Sequence, residues 1–160
     1  MKKKNRTVLV VVAHRDDEIL GCGGTMAKLI SEKYKVFSIS MTNGVSSRKK
    51  ISKQDILDRY NNSVKASKII GFNWLNKFSG NFSDNAMDTE PLLKIIKLIE
   101  KAKKIVNPEI VITHFPDDLN IDHQIVSNAT LTAFRPGNRQ ACKKIIAFEV
   151  PSSTDYAIHK

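Results

Sequence analysis

One imidazole and three carboxylates fall within five residues in His14-Arg15-Asp16-Asp17-Glu18, directly behind the apolar run Val8-Leu9-Val10-Val11-Val12-Ala13. Carboxylates set this close repel one another, and burial at the mouth of a strand sharpens the repulsion. A positive charge is expected among them. Far downstream a second apolar run, Ile110-Val111-Ile112, leads into Thr113-His114-Phe115-Pro116-Asp117-Asp118-Leu119-Asn120-Ile121-Asp122-His123. Two histidines and a carboxylate, with a fourth position open to water, make a recurrent catalytic zinc site. His14, Asp17 and His123 can supply that set. Asp16 is then left unligated beside the water, where a general base belongs. The missing charge is expected to be a divalent cation, Zn2+.

For these residues to meet, the two apolar runs have to be neighbouring strands. Thr7–Ala13 is a β-branched run suited to a strand buried on both faces of a parallel sheet. Gly21-Cys22-Gly23-Gly24 reads as tight packing leading into a helix from Thr25 to about Glu32, since the preceding acids would repel a phosphate. Lys35–Thr42 is a second strand, ended by Asn43-Gly44 and followed by a polar, lysine-rich loop. Asp55–Ile70 reads as a helix whose apolar set is Ile56, Leu57, Tyr60, Val64, Ile69 and Ile70, stopped by Gly71. Asn73–Phe78 is a weaker strand, and Glu90–Val106 a strong helix with Pro91 in its first turn. Glu109–Phe115 is a buried strand, Ile121–Phe134 a helix, Arg135-Pro136-Gly137-Asn138 a break, and Lys144–Val150 the last strand. This alternation predicts an α/β fold, a three-layer, doubly wound, mostly parallel sheet. The order 3-2-1-4-5 sets strand 1 beside strand 4, so both polar clusters meet at the carboxyl-end switch point, where ligands bind in such folds.

The totals exclude several classes. A chain of 160 residues, 41% hydrophobic and 26% charged, suits one globular domain and not a disordered one. The apolar run behind Met1-Lys2-Lys3-Lys4 is too short for a secretory signal, and no run is long enough to span a bilayer. Cys22 and Cys142 form no metal-type spacing, and a reduced, cytoplasmic location is expected. The net charge of +10 permits an anionic partner, yet aromatics do not interleave with the basic residues, which leaves no stacking platform for nucleic acid.

The pair AHRDDE and DLNIDH resembles the signature of the GlcNAc-phosphatidylinositol de-N-acetylase (PIG-L, or LmbE-like) family, whose first motif reads AHPDDE. GCGGT and KASKIIG are similar to the family's glycine turn and second-helix end. The resemblance implies a Rossmann-like fold and zinc-dependent removal of acetyl groups from N-acetylglucosamine-type sugars. It places His14, Asp17 and His123 on the zinc ligands, Asp16 on the general base and Arg59 on a substrate-binding arginine. Asn61 and Asn62 stand where a glutamate is expected near that arginine. The segment Glu149-Val150-Pro151-Ser152-Ser153-Thr154 resembles bacterial members acting on surface-polysaccharide or sugar-conjugate precursors.

Three departures stand out. Arg15 replaces the usual proline. Asn120 stands where many members carry a histidine that steadies the tetrahedral intermediate, which leaves that role to Asn120, His114 or the metal. Family domains also run on beyond the point where this sequence stops at Lys160. A segment covering the substrate is therefore expected to be lacking, turnover is expected to be weak, and an apolar patch able to drive homo-oligomerisation is expected beside the last strand.

Other residues keep two readings. Asp122 is either a helix N-terminal acid favoured by the dipole or a carboxylate orienting a ligand. His114 belongs either to the core or to the site, Glu18 reads as structural, and His159 as exposed at the chain end. The expected partner is a small N-acetylated sugar or sugar conjugate, with the positive charge and Arg59 favouring one that carries phosphate, nucleotide or another acid. The rival readings are a metal-dependent phosphohydrolase, which would prefer magnesium and more oxygen ligands, and a non-catalytic binding module.

Overall fold

The computed structural model describes residues 6–42, 44, 52–137 and 141–156. The N-terminal lysines, residues 45–51 of the lysine-rich loop, Asn138 of the break and His159 lie outside the described residues. In chain order the elements are β1 (Thr7–Val12), α1 (Asp17–Ser31), β2 (Lys35–Ser40), α2 (Lys53–Ile70), β3 (Asn73–Trp74), α3 (Leu92–Val106), β4 (Ile110–His114), α4 (Ile121–Ala133), β5 (Lys144–Phe148) and α5 (Pro151–Thr154). Short 3-10 turns at Asn76–Phe78 and Met87–Thr89 lie between β3 and α3. The sheet order is β3-β2-β1-β4-β5, with every pairing parallel. Among the described residues, no helix is long and apolar enough to cross a membrane.

β1 is the buried centre, and its alternate side chains feed two cores. Val8, Val10 and Val12 pack with Cys22 and Met26 of α1. Leu9, Val11 and Ala13 pack with Ile95 and Ile99 of α3 and with Val126 and Ala129 of α4. Burial on both faces is why β1 reads as an unbroken apolar run and not as an alternation.

Three expectations need correction. α1 begins at Asp17, so the glycine run lies inside the helix, which kinks at Cys22. Gly21 is required there by close approach, because a Cβ would meet Phe148 Cδ2 at 2.0 Å and Glu149 O at 2.9 Å. Tight packing thus holds for Gly21, whereas a Cβ on Gly24 would meet nothing within 4 Å.

The apolar set read for α2 does not form its buried face. Ile56, Leu57, Tyr60 and Ile69 are exposed, and the buried residues are Ser63 and Ser67. The serine hydroxyls donate to Tyr60 O and Val64 O of their own helix, which leaves a narrow stripe able to lie close to β3. Finally, β3 covers only Asn73–Trp74, and the chain then turns at Asn76–Phe78. At the other edge, Ile145 and Ala147 of β5 are exposed.

The two glycines give a paired test. Gly21→Ala should destabilise by about 1–3 kcal/mol through overpacking against Phe148. Gly24→Ala should be neutral or stabilise by about 0.5–1 kcal/mol through helix propensity. Urea unfolding of both variants measures the contrast.

Candidate active site

β1 and β4 deliver the two polar clusters side by side. The Ala13 N–H donates to His114 Nε2 at 2.9 Å, pinning the end of one strand to the other. The chain then turns at His14, whose backbone N–H donates to Asp17 Oδ2 at 2.9 Å. Asp16 takes the N-cap position of α1 in extended backbone but makes no capping bond with its side chain. Its carboxylate is thereby left for other work. On the facing side Asn120 does cap α4, its Oδ1 accepting from the N–H groups of Asp122 at 2.9 Å and His123 at 3.4 Å.

Three atoms converge between these turns. His14 Nδ1 lies 3.2 Å from Asp17 Oδ2, His123 Nε2 lies 3.4 Å from Asp17 Oδ2, and the two ring nitrogens lie 3.3 Å apart. A tetrahedral ion with bonds of about 2.0–2.1 Å has ligand–ligand edges of about 3.3 Å, so the triangle has the dimensions of one face of such a site. The other ring nitrogens point away and meet carboxylates. His14 Nε2 lies 2.9 Å from Asp84 Oδ1 and 3.1 Å from Asp122 Oδ2, and His123 Nδ1 lies 3.3 Å from Asp118 Oδ2. Carboxylates behind metal-binding imidazoles fix the tautomer and aim the inward lone pair. Both histidines have that arrangement, and the donor set fits a divalent cation.

The charge balance points the same way. Asp17, Asp118 and Asp122 are buried, with Asp84 beside them. Burial opposes the charge on His14, yet hydrogen bonds with Asp122, Asp17 and Asp84 push its pKa up to about 11. Burial likewise opposes the charge on His123, which Asp17 and Asp118 nevertheless hold above its ordinary value. Burial opposes ionisation of Asp17, and the surrounding imidazoles more than offset it, keeping the carboxyl well below its usual range. The cluster attracts positive charge, whether as protons on imidazoles or as a cation.

A cavity of about 360 Å3 opens over the triangle, with Asp16, Arg59, Asp84 and Asn120 among its walls. Arg59 reaches from α2 to donate to Asp16 Oδ2, to Arg15 O at 3.4 Å and to Gly44 O at 3.1 Å. The expected substrate-binding arginine is thus already bonded to the expected base. Asn120 also lines the cavity, with Nδ2 donating to Asn85 Oδ1 at 3.2 Å. His114 does not reach it. That residue is fully buried, stacks on His123 at 3.9 Å between ring centroids, and accepts from Ala13 through Nε2. Burial pushes its pKa down, and Nδ1 has no hydrogen-bond partner. His114 is therefore buried outside the cavity lining, with Nε2 also 3.4 Å from Asp17 Oδ2.

Asp122 faces inward, its oxygens accepting from Asn85 N at 2.7 Å and Met87 N at 3.1 Å while it meets His14. Asp122 thus stands in the first turn of α4 and also against His14, so its two readings are compatible. Glu18 is completely buried with neither carboxyl oxygen bonded, and burial, helped by Asp17 and Asp16, pushes it up to about 8. Sequence reasoning missed Asp84 and Asp118. Asp118 accepts from Asn120 N at 2.8 Å, Ser153 Oγ at 3.1 Å and Thr154 Oγ1 at 2.5 Å, and so ties α5 to His123. The Asp117-Asp118 pair beside an expected ligand was the available signal for it; Asp84 sits in a loop with none.

The sequence and the fold resemble those of known proteins. A family model described as PIG-L: GlcNAc-PI de-N-acetylase matches residues 9–134, which contain the whole converging triangle. The chain belongs to that family. It is 28% identical to the uncharacterized deacetylase YaiS of Escherichia coli (strain K12), over 94% of this chain and 77% of that one. Its fold matches the N,N'-diacetylchitobiose deacetylase of Pyrococcus horikoshii with a TM-score of 0.69 at 20% identity, covering 89% of this chain and 60% of that one. It also matches GalB, the 4-carboxy-2-hydroxymuconate hydratase of Pseudomonas putida KT2440, with a TM-score of 0.70 at 20% identity, covering 86% and 62%. The chain therefore spans less than two thirds of the length of these two solved structures. A fold shared by a deacetylase and a hydratase does not select the chemistry; the site has to.

Within the family frame, Asp118 is the buried joint between α4, α5 and His123. Asp118→Ala strands the Thr154 hydroxyl and the Asn120 N–H, and should cost about 2–4 kcal/mol in urea unfolding. An unchanged midpoint would mean that α5 is not held through this carboxylate.

Proposed function

We propose that this chain carries the machinery of a zinc-dependent N-deacetylase, hydrolysing the acetamide of an N-acetylglucosamine-type sugar or sugar conjugate. The observation that supports it is the triangle of His14 Nδ1, Asp17 Oδ2 and His123 Nε2, 3.2–3.4 Å on each side, beneath a cavity walled by Asp16. His14, Asp17 and His123 would hold the cation, which when bound supplies the Lewis acidity that polarises an amide carbonyl and makes water more acidic.

Arg59 occupies Oδ2 of Asp16, and Asp16 lines the cavity, so its other carboxyl oxygen would act as the base. Asp16 takes a proton from the water that adds to the acetamide carbon, and returns it to the sugar nitrogen as the C–N bond breaks. Acetate and a free amino sugar leave. Asn120, on the cavity wall, would steady negative charge growing on the acetamide oxygen with the Nδ2 hydrogen not given to Asn85. Asp122 and Asp84 behind His14, and Asp118 behind His123, hold the rings in register.

Among the described residues that line the cavity, Arg59 is the sole arginine or lysine, and its guanidinium already binds Asp16 and two carbonyls. An acidic substituent on the sugar would have to share it.

Metal analysis joined to an acetate-release screen on N-acetyl sugars tests the reading. His14→Ala, Asp17→Ala and His123→Ala should each lose bound zinc. Asp16→Asn should keep the zinc and slow acetate release by about 10²–10⁴-fold. Loss of zinc from Asp16→Asn would contradict the division of labour between the aspartates. A zinc-loaded protein that releases phosphate from esters, or adds water to a carbon–carbon double bond, while releasing no acetate, would replace the reaction altogether.

A further inference from the structure

Arg15 lies between a proposed ligand and the proposed base, yet its side chain leaves the site. Nη1 donates to Ser63 Oγ at 3.1 Å and Nη2 to Asn76 Oδ1 at 2.6 Å. The guanidinium sits 4.4 Å from the Trp74 ring centroid and 5.1 Å from that of Tyr60. Its partners are themselves tied together: Trp74 Nε1 donates to Ser63 O at 3.2 Å, and Asn76 Nδ2 to Tyr60 Oη at 3.2 Å. Arg59 stands one helical turn before Ser63 on α2 and reaches the opposite way, to Arg15 O and Asp16 Oδ2.

The two arginines close a circuit. Arg15 runs from the turn after β1 out to α2, and Arg59 runs from α2 back to the same turn. The circuit matters because α2 is lightly anchored along most of its length: its buried residues are Ser63 and Ser67, Ile56, Leu57 and Ile69 are exposed, and Ile70 packs on the core only at the helix's last turn. A helix held by so little apolar burial can slide along its axis, and Arg59 would carry that displacement straight to Asp16. About 1 Å of misplacement at a reacting group can cost about 10²-fold in rate.

We infer that Arg15 is a positioning residue: it locks α2 against β3 so that Arg59 presents Asp16 in one orientation. The inference rests on the proposed role of Asp16 as the base. A proline at this position, as in the motif the sequence resembles, has no side-chain donor or cation for these contacts.

The experiment compares wild type with Arg15→Met, which keeps the stem and removes the donors, and with Arg15→Lys, which keeps the cation. Two readouts are taken: kcat and KM for acetate release by zinc-loaded protein, and the order of the Arg59 Nε–H by 15N relaxation. Arg15→Met should retain wild-type zinc content, lose about tenfold or more in kcat with KM within about twofold, and loosen Arg59. Arg15→Lys should lie between the two on both measures, and it carries the same test if Arg15→Met does not fold. In an Asp16→Asn background, Arg15→Met should cause no further loss, because the residue acts through Asp16.

An Arg59 as ordered in Arg15→Met as in wild type overturns the inference. So does loss of zinc from that variant, or an equal further drop in the Asp16→Asn background. If wild type binds zinc and releases no acetate while Arg59 still loosens in Arg15→Met, the deacetylase reading fails and the clamp stands.

Discussion

Four aspartates and two imidazoles crowd into one buried corner, and the chain keeps them there by facing each histidine in two directions. One nitrogen of His14 and one of His123 turn inward towards Asp17, while the opposite nitrogens rest against Asp84 and Asp122, and against Asp118. Desolvation alone would neutralise these rings; the carboxylates reverse it. A corner with that charge balance attracts positive charge, and the surrounding elements hold it together.

The parallel sheet supplies the first requirement. Placing β1 next to β4 brings two turns that are distant in sequence to one edge, where strand order reverses. Each helix then begins as part of the site: α1 starts at Asp17, and α4 is capped by Asn120 with Asp122 and His123 in its first turn. Negative side chains at helix N-termini are favoured by the helix dipole, which offsets part of the cost of gathering them. Gly21 lets α1 lie against Phe148, and that ring in turn packs on His114 beneath the cluster at 4.7 Å.

The strand order and the residues of the converging triangle were legible because both rest on local signals. Unbroken β-branched runs mark central parallel strands, and a histidine with a close aspartate marks a polar turn at a strand end. The rest depended on long-range geometry. Nothing near Asp84 announces that it will meet His14, since the pairing is made by a loop crossing from beyond β3. Periodicity misassigned α2, because hydrophobic spacing predicts a buried apolar face and this helix buries two serines instead. The helix start at Asp17 was hidden by glycines, which disfavour helix locally and are overridden here by packing against β5. Arg59 was assigned to substrate, and its partner Asp16 emerged only when α2 was placed beside the turn.

Because the fold houses both a deacetylase and a hydratase among its solved relatives, the ligand set decides more than the architecture does. The most direct measurement is zinc K-edge X-ray absorption on the metal-loaded protein. Two imidazole nitrogens with oxygen ligands at about 2.0–2.1 Å, at one equivalent per chain and lost in His123→Ala, is the expected result. A sulfur shell at about 2.3 Å, a single imidazole, or zinc retained by His123→Ala would contradict it.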